Sequence, residues 1–248
     1  MKSSAILSLG SLALSLAISG NVAAGPVWNA ASCVASKTTP KTMDCKSAAP
    51  GPVYSAALSG WSAAGTANFA AADIKYYGGG LGVSAKGESG SPQHAIDNKG
   101  GTDAVLMYFD TNFALKQLST GWINRDADVS ILRYTGTAPL QLGASRVNNL
   151  LAVPGWELVG NYSTLTKSTP LNFNDTNKTA SWWLVSAYNS AYNGVAASGA
   201  LNNNNDYFKL NGFKGEVVPN EVPEPATWSL VGLALLGIGA ARRKARLG

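Results

Sequence analysis

The strongest constraint on the fold of this chain is a series of short apolar runs between residues 53 and 218. Turn residues, mostly Gly, Asn, Pro and Thr, separate the runs, and only the two chain ends contain longer apolar segments. The runs suited to strands are 53–61, 68–77, 104–109, 113–122, 128–134, 156–162, 180–188 and 207–218. Such spacing is typical of all-β domains. We therefore predict an all-β ectodomain over residues 53–218, an antiparallel β-sandwich of the jelly-roll type.

A glycine-rich stretch at residues 78–103 interrupts this series. Glycine frees the backbone for turns with positive φ, and long stretches without regular structure are usually functional or disordered. We predict that these residues form the longest irregular segment of the domain.

The first 24 residues have the features of a secretory signal peptide. Lys2 gives a positive start, residues 5–18 are apolar, and Ala24 ends a small-residue sequence of the kind that signal peptidase recognises. We predict cleavage by signal peptidase after Ala24, so that the mature chain is exported.

The charge of the mature protein differs from that of the whole chain, which carries 19 Lys and Arg against 14 Asp and Glu and a net charge of +5. Five of the cations lie at the two ends: Lys2, Arg242, Arg243, Lys244 and Arg246. Residues 25–225 therefore carry 14 charges of each sign. A neutral body gives no reason to expect nucleic acid as a partner.

The segment 25–52, rich in Ala, Ser, Thr, Lys and Pro, contains the only cysteines of the chain, Cys33 and Cys45. A cysteine pair in an exported protein favours a disulfide. A metal site would need further ligands, and the chain has one histidine. We predict a Cys33–Cys45 disulfide that staples an N-terminal arm or long loop.

The C-terminal segment, residues 222–248, combines three features in order. Pro223, Glu224 and Pro225 precede an uncharged apolar run of 16 residues at 226–241, and basic residues follow: Arg242, Arg243, Lys244 and Arg246. As a helix, the run would rise about 24 Å at about 1.5 Å per residue, which is short of the roughly 30 Å hydrocarbon core of a bilayer. We predict a single hydrophobic transmembrane helix that holds the chain in the inner membrane transiently, with the basic end in the cytoplasm.

This order of tripeptide, apolar helix and basic end resembles the PEP-CTERM sorting signal. The resemblance covers about the last 27 residues and implies that a membrane-embedded exosortase cuts near Pro223–Glu224–Pro225, in a bacterium that makes exopolysaccharide. The protein is then released or transferred to the cell surface or extracellular matrix. The alternative is an ordinary C-terminal membrane anchor.

The body is similar to the exosortase-dependent surface proteins, which share one β-rich ectodomain. The segments that carry this resemblance are 80–83, 94–98 with Gly101 and Asp103, 121–128, 181–189 and 206–210. The similarity spans roughly residues 53–215. It implies a surface protein and assigns no catalytic residue.

The oxygen-bearing side chains are densest at five positions: Asp97, Asn98, Asp103, Asp126 and Asp128. Carboxylate and amide oxygens beside a glycine-rich loop suit calcium, although their spacing matches no EF-hand. We treat them as candidate ligands of a structural calcium ion and predict no other cofactor. The alternative is that these residues form turns, the commonest role of Asp and Asn beside glycine.

Asp126 and Asp128 also raise the alternative of a secreted glycoside hydrolase. On one strand, residues two apart point to the same face about 7 Å from each other, within the ~6.5–9.5 Å window of inverting glycosidases. Two carboxylates side by side do not naturally flank a glycosidic bond, however. We therefore predict no catalytic residue.

Trp182 and Trp183 are adjacent, so that in a strand one faces the core and the other faces out. An outward Trp182 or Trp183 near Tyr188 could stack on a sugar ring, which makes a carbohydrate-binding module the first alternative function. The other interpretation is that both rings are packed, one in the core and one under a loop. The leading prediction is a non-catalytic, exosortase-processed surface or matrix protein associated with exopolysaccharide and biofilm.

Overall fold

A computed structural model describes residues 25–48, 51–88, 94–137, 140–194, 196–197 and 199–218. The predicted signal peptide, residues 1–24, and the predicted sorting signal, residues 222–248, lie outside this range. The predictions for Ala24, the tripeptide and the basic end therefore also fall outside the described residues. Within them, no helix has the length and apolarity needed to span a membrane.

The described residues form thirteen strands and three short 3₁₀ helices. The strands are β1 (Val27–Asn29), β2 (Val34–Ala35), β3 (Thr42–Lys46), β4 (Ser55–Ala64), β5 (Ala70–Tyr77), β6 (Gly80–Ser84), β7 (Ile96–Asp97), β8 (Gly101–Ile123), β9 (Val129–Tyr134), β10 (Trp156–Tyr162), β11 (Leu171–Asn172), β12 (Ala180–Ala187) and β13 (Tyr207–Val217). The 3₁₀ helices are Ala30–Ser32, Leu142–Ala144 and Val147–Ala152.

All the strands of the described residues belong to one antiparallel sheet, part of which closes on itself. Five strands, β8, β13, β6, β5 and β4, form a closed barrel. The 23-residue β8 allows this closure because residues 101–109 pair with β4 and residues 113–123 pair with β13. From β8 the sheet continues through β12, β9 and β10. With 53% strand and 7% helix, the predicted all-β fold is confirmed.

Alternating side chains of β8 divide the apolar residues between two cores. Val105, Met107 and Phe109 belong to the main core, which includes buried side chains from all five barrel strands. Ala104 and Leu106, on the opposite face, belong to a second core. Because both faces of this part of β8 are buried, its sequence is an almost continuous apolar run.

The second core lies on the outer face of the sheet beneath the segment that carries two of the 3₁₀ helices. Leu142, Val147 and Leu150 of this segment pack with Leu106 and Leu132 of the sheet. This cover does not extend over the whole face, because Tyr108 of β8 stays 39% exposed beside it.

The N-terminal arm is part of the sheet. β1 pairs with β13 and β3 pairs with β4. Trp28 of β1 is 1% exposed, stacks on Phe213 with ring centroids 5.0 Å apart, and makes edge contacts with Phe109 and Phe113 at 5.5 and 5.2 Å. The segment predicted as an arm or long loop thus contributes three strands and a large core side chain.

The predicted disulfide is confirmed. Cys33 follows the first 3₁₀ helix, Cys45 lies in β3, and their sulfur atoms are bonded at 2.01 Å across a sequence separation of 12 residues. Both cysteines are buried. The bond therefore links β3 to the turn that follows β1.

The glycine-rich stretch differs from its prediction. Residues 78–103 contain β6, β7 and the start of β8, so the prediction of one irregular segment is wrong for these residues. Gly82 shows the reason, because a Cβ atom there would lie 1.7 Å from the carbonyl oxygen of His94. The glycine allows β6 and the turn before β7 to approach each other closely, a role that the sequence does not distinguish from a turn of its own.

Candidate functional site

Three of the predicted calcium ligands meet in the structure. Asn98, Asp126 and Asp128 lie together with Asp206, which the prediction did not include. Carboxylate oxygens of the three aspartates lie within 4.8 Å of one another, and the Asn98 amide nitrogen donates to Asp206. We call these four residues the Asp206 cluster.

Asp97 and Asp103 stay outside the Asp206 cluster and form a separate pair. The Asp97 backbone N–H and the Ser62 side chain hydrogen-bond to the Asp103 carboxylate. Burial raises the pKa of Asp103 well above its ordinary value and raises the pKa of Asp97 to about 6. This pair links β7 to β8, and it adds no ligand to the Asp206 cluster.

The oxygens of Asp128 and Asp206 already accept hydrogen bonds. Asp206 accepts from the backbone N–H of Asp128 at 2.6 Å and from the side chain of Asn98. Asp128 accepts from the backbone N–H groups of Thr164 and Asn202 at 2.8 and 2.9 Å. The cluster therefore holds four distant chain segments together by hydrogen bonds, and calcium in it stays a prediction.

The Asp206 cluster favours a bound proton. Burial, together with the nearby carboxylates of Asp128 and Asp126, raises the pKa of Asp206 to about 7, and the hydrogen bonds that Asp206 accepts from Asp128 and Asn98 oppose this rise. Burial also raises the pKa of Asp128. Three carboxylates this close repel one another when all are ionised, and a proton on one of them relieves that repulsion.

We expect the free energy of unfolding to fall as pH rises from about 4 to about 7. In this range folded Asp206 keeps a proton that the unfolded chain, with a pKa near 3.8, has released. Each carboxyl that is protonated only in the folded state lowers the free energy of unfolding by about 1.4 kcal/mol for every pH unit of increase. Urea denaturation of the mature protein at a series of pH values, with a chelator present, measures the slope.

The control for this experiment is a carboxylate outside the cluster. Asp206→Asn should reduce the slope by about 1.4 kcal/mol per pH unit, whereas Asp175→Asn, at an exposed position, should leave it unchanged. A slope of the opposite sign in the wild type would contradict the prediction. If millimolar calcium stabilises the wild type at pH 7 but not Asp206→Asn, a cation compensates the cluster instead.

The carboxylate pair of the hydrolase alternative is not arranged as that alternative requires. Asp126 and Asp128 precede β9, which begins at Val129, so they do not share a strand. Asp128 is 0% exposed, and both of its oxygens accept backbone N–H groups. This pair therefore cannot flank a glycosidic bond.

The adjacent tryptophans face opposite sides of β12. Trp183 is 0% exposed in the main core, and its indole nitrogen donates to the carbonyl oxygens of Phe113 and Ala180 at 3.1 and 3.0 Å. Trp182 is half-buried on the outer face, and its ring lies 4.5 Å from that of Tyr108. One tryptophan is thus a core residue and the other is accessible.

Tyr188 does not join Trp182. It follows the end of β12, about 20 Å along the chain from Trp182. Its backbone N–H donates to the carbonyl oxygen of Asp128, and its own carbonyl oxygen accepts from Asn98. Tyr188 belongs beside the Asp206 cluster, and its prediction as a stacking partner of the tryptophans is wrong.

The sequence prediction missed two aromatic residues that accompany Trp182. Tyr108 of β8 is 39% exposed, and Trp61 of β4 is half-buried. The alternation of side chains along β8 could have identified Tyr108, because residues two apart in a strand face the same side and Leu106 faces outward. We call Trp61, Tyr108 and Trp182 the aromatic face.

The aromatic face lines a cleft of about 560 Å³ on the outer side of the sheet. Leu140 and Gln141, at the edge of the segment that covers the second core, form one wall, and residues 39–42 form another. Two further depressions, of about 510 and 300 Å³, adjoin Tyr108. The cleft has the size of a small-molecule or oligomer site.

One family model matches the chain: residues 221–244 match the PEP-CTERM protein-sorting motif. The motif indicates export across the membrane, processing by an exosortase, and a destination at the cell surface or outside the cell. No curated protein and no solved structure matches the chain. The similarity of the body to exosortase-dependent surface proteins therefore stays a prediction.

Proposed function

We propose that this chain, which carries a PEP-CTERM sorting motif, is a non-catalytic surface or matrix protein that associates with exopolysaccharide. The sorting motif is the observation that carries the proposal. Residues 25–225, with 14 charges of each sign, suit a protein that lies among polysaccharide chains rather than on nucleic acid or an acidic membrane. The buried, hydrogen-bonded carboxylates of Asp128 and Asp206 suit a structural role.

The two ends of the described part of the chain lie side by side. β1 pairs with β13, with Val27 opposite Lys214, so the first described residues lie beside the last ones. Signal peptidase cleaves after Ala24 and exosortase cleaves near Pro225 in this proposal. Both cleavages leave the barrel and its outer face intact.

The intact mass of the protein recovered from its own host tests the processing route. In the wild-type strain we expect a product that begins near Gly25 and lacks the residues beyond about Pro225. In an exosortase-deletion strain the C-terminal segment should remain. A segment retained in both strains would contradict exosortase processing and leave an ordinary membrane-anchored domain.

The carbohydrate-binding alternative is supported by a specific observation, the accessible aromatic face. Aromatic rings beside polar groups on an open sheet are a common way of holding sugars, because the rings pack against C–H groups while hydroxyls reach polar neighbours. The two functions are compatible, since a matrix protein needs a surface that holds the matrix.

A further inference from the structure

The aromatic face presents rings that stay partly accessible, although Trp61 and Trp182 also pack against the second core. Tyr108 is 39% exposed, and its ring lies 4.5 Å from Trp182 at an interplanar angle of 39°. Trp61 is held in place by a hydrogen bond from its indole nitrogen to the Ser59 hydroxyl at 2.9 Å. These rings are fixed on strands, so a ligand that stacks on them meets a preformed surface.

The shape of this surface suits a chain molecule. Tyr108 lines all three depressions, of about 560, 510 and 300 Å³. Trp61 and Trp182 lie in the first, Asn112 and Trp182 in the second, and Ala57 in the third. Because the three depressions meet at one ring, a ligand that crosses Tyr108 can continue beyond it in more than one direction.

The charges around the aromatic face balance. Lys41 and Asp44 line the cleft, and Lys46 and Asp110 line the smallest depression beside it. Lys41 is already engaged, since its ammonium group donates to the carbonyl oxygen of Ala71 at 2.8 Å and lies 3.8 Å from the Asp73 carboxylate. The face therefore offers no excess of positive charge to an acidic polymer.

Uncharged hydrogen-bonding groups surround the rings. Their side chains are hydroxyls and amides, groups that can both donate to and accept from sugar hydroxyls. In the three depressions they include Thr39, Gln141, Asn112, Thr179 and Ser55.

We propose that the aromatic face binds a neutral polysaccharide chain, with a sugar ring stacked on Tyr108 and neighbouring sugars in the depressions beside it. This inference rests on the proposed function and deepens it by naming the ligand class and the residues. A sugar that stacks on an aromatic ring buries apolar C–H surface against that ring, so each ring contributes to the binding. Binding that uses two rings should therefore depend strongly on either one.

Affinity gel electrophoresis of the mature protein tests the binding. The gels contain hydroxyethylcellulose, dextran, galactomannan or the exopolysaccharide purified from the host, with alginate as the acidic comparison. We expect retardation by at least one neutral polymer, and binding about tenfold weaker in Tyr108→Ala and in Trp182→Ala. Tyr108→Phe keeps the ring and should bind nearly as the wild type does.

The matched control is Tyr76→Ala. Tyr76 is 43% exposed on β5 and does not line the cleft. Its replacement removes an equally accessible tyrosine and should leave binding unchanged, and circular dichroism melting confirms that each variant is folded. Equal losses in Tyr76→Ala and Tyr108→Ala, or stronger binding to alginate than to every neutral polymer, would overturn the inference.

A second copy of this chain is the other occupant that the experiment must distinguish. Sedimentation of the wild type and Tyr108→Ala shows whether the face mediates self-association. If Tyr108→Ala abolishes a dimer and leaves retardation by polysaccharides unchanged, the inference is overturned. A wild type that no polymer retards overturns it as well.

Fractionation of the host culture separates this inference from the proposed function. If the wild-type protein is processed and recovered with the exopolysaccharide but Tyr108→Ala is released into the medium, both hold. If both variants are retained equally, the aromatic face is not the binding site although the protein is a matrix protein. If the wild type is absent from the matrix, the proposed function itself fails.

Discussion

Replacing Trp183 with alanine is expected to lower the free energy of unfolding by about 3–5 kcal/mol. The side chain is 0% exposed in the main core, so alanine leaves a cavity where an indole was packed. It also removes the hydrogen bonds to the carbonyl oxygens of Phe113 and Ala180. Since whole domains are stable by only about 5–15 kcal/mol, this single change removes a large share. Urea denaturation followed by circular dichroism measures it.

The neighbouring residue provides the control for this prediction. Trp182→Ala removes the same side chain from the half-buried outer face, and it should cost clearly less stability while weakening polysaccharide binding. Trp183→Phe should fall between Trp183→Ala and the wild type because it keeps most of the ring volume. If Trp182→Ala destabilises as much as Trp183→Ala, the assignment of the two faces of β12 is wrong.

Loss of the disulfide is expected to cost about 3 kcal/mol. The Cys33–Cys45 bond closes a loop across a sequence separation of 12 residues, and a loop of this size loses about that much chain entropy in the unfolded state. The bond also fixes the turn that follows β1. Trp28 of β1 belongs to the main core. The double variant Cys33→Ala with Cys45→Ala, compared with the wild type by urea denaturation, measures the effect.

Reduction provides an internal control for this experiment. A phosphine reductant should destabilise the wild type by a similar amount and leave the double variant unaffected, since the chain has no other cysteine. If the oxidised wild type and the double variant unfold at the same urea concentration, the bond does not stabilise the mature protein.

Local patterns in the sequence were sufficient to place most of the strands. The run 156–162 coincides with β10, and the runs 128–134 and 207–218 differ from β9 and β13 by a single residue at one end. Hydrophobic periodicity and turn residues are local signals, because they depend on the sequence of the strand itself and not on which strands pair with it. The same signals separated 104–109 from 113–122, although the structure joins them in β8, because pairing with different partners keeps the whole strand extended.

The candidate sites could be predicted only where their residues are close in sequence. Asn98, Asp126 and Asp128 were predicted as candidate calcium ligands because they lie close together in sequence, but Asp206 is 108 residues from Asn98, to which it is hydrogen-bonded. Tyr108 and Trp182 likewise come from strands that are neighbours only in the folded sheet. Their contact depends on strand order and register, which the residues around each of them do not encode.

The sequence by itself determined the export and sorting motif, the all-β class and the disulfide. Each of these depends on residues that lie close together or on composition: a tripeptide before an apolar run, alternating apolar positions, and two cysteines in an exported chain. Only the tertiary structure decided the closure of the barrel, the partners of Asp206, and which of two adjacent tryptophans is accessible. Those features depend on which strands pair and in which register, and hydrogen bonding between distant segments sets both.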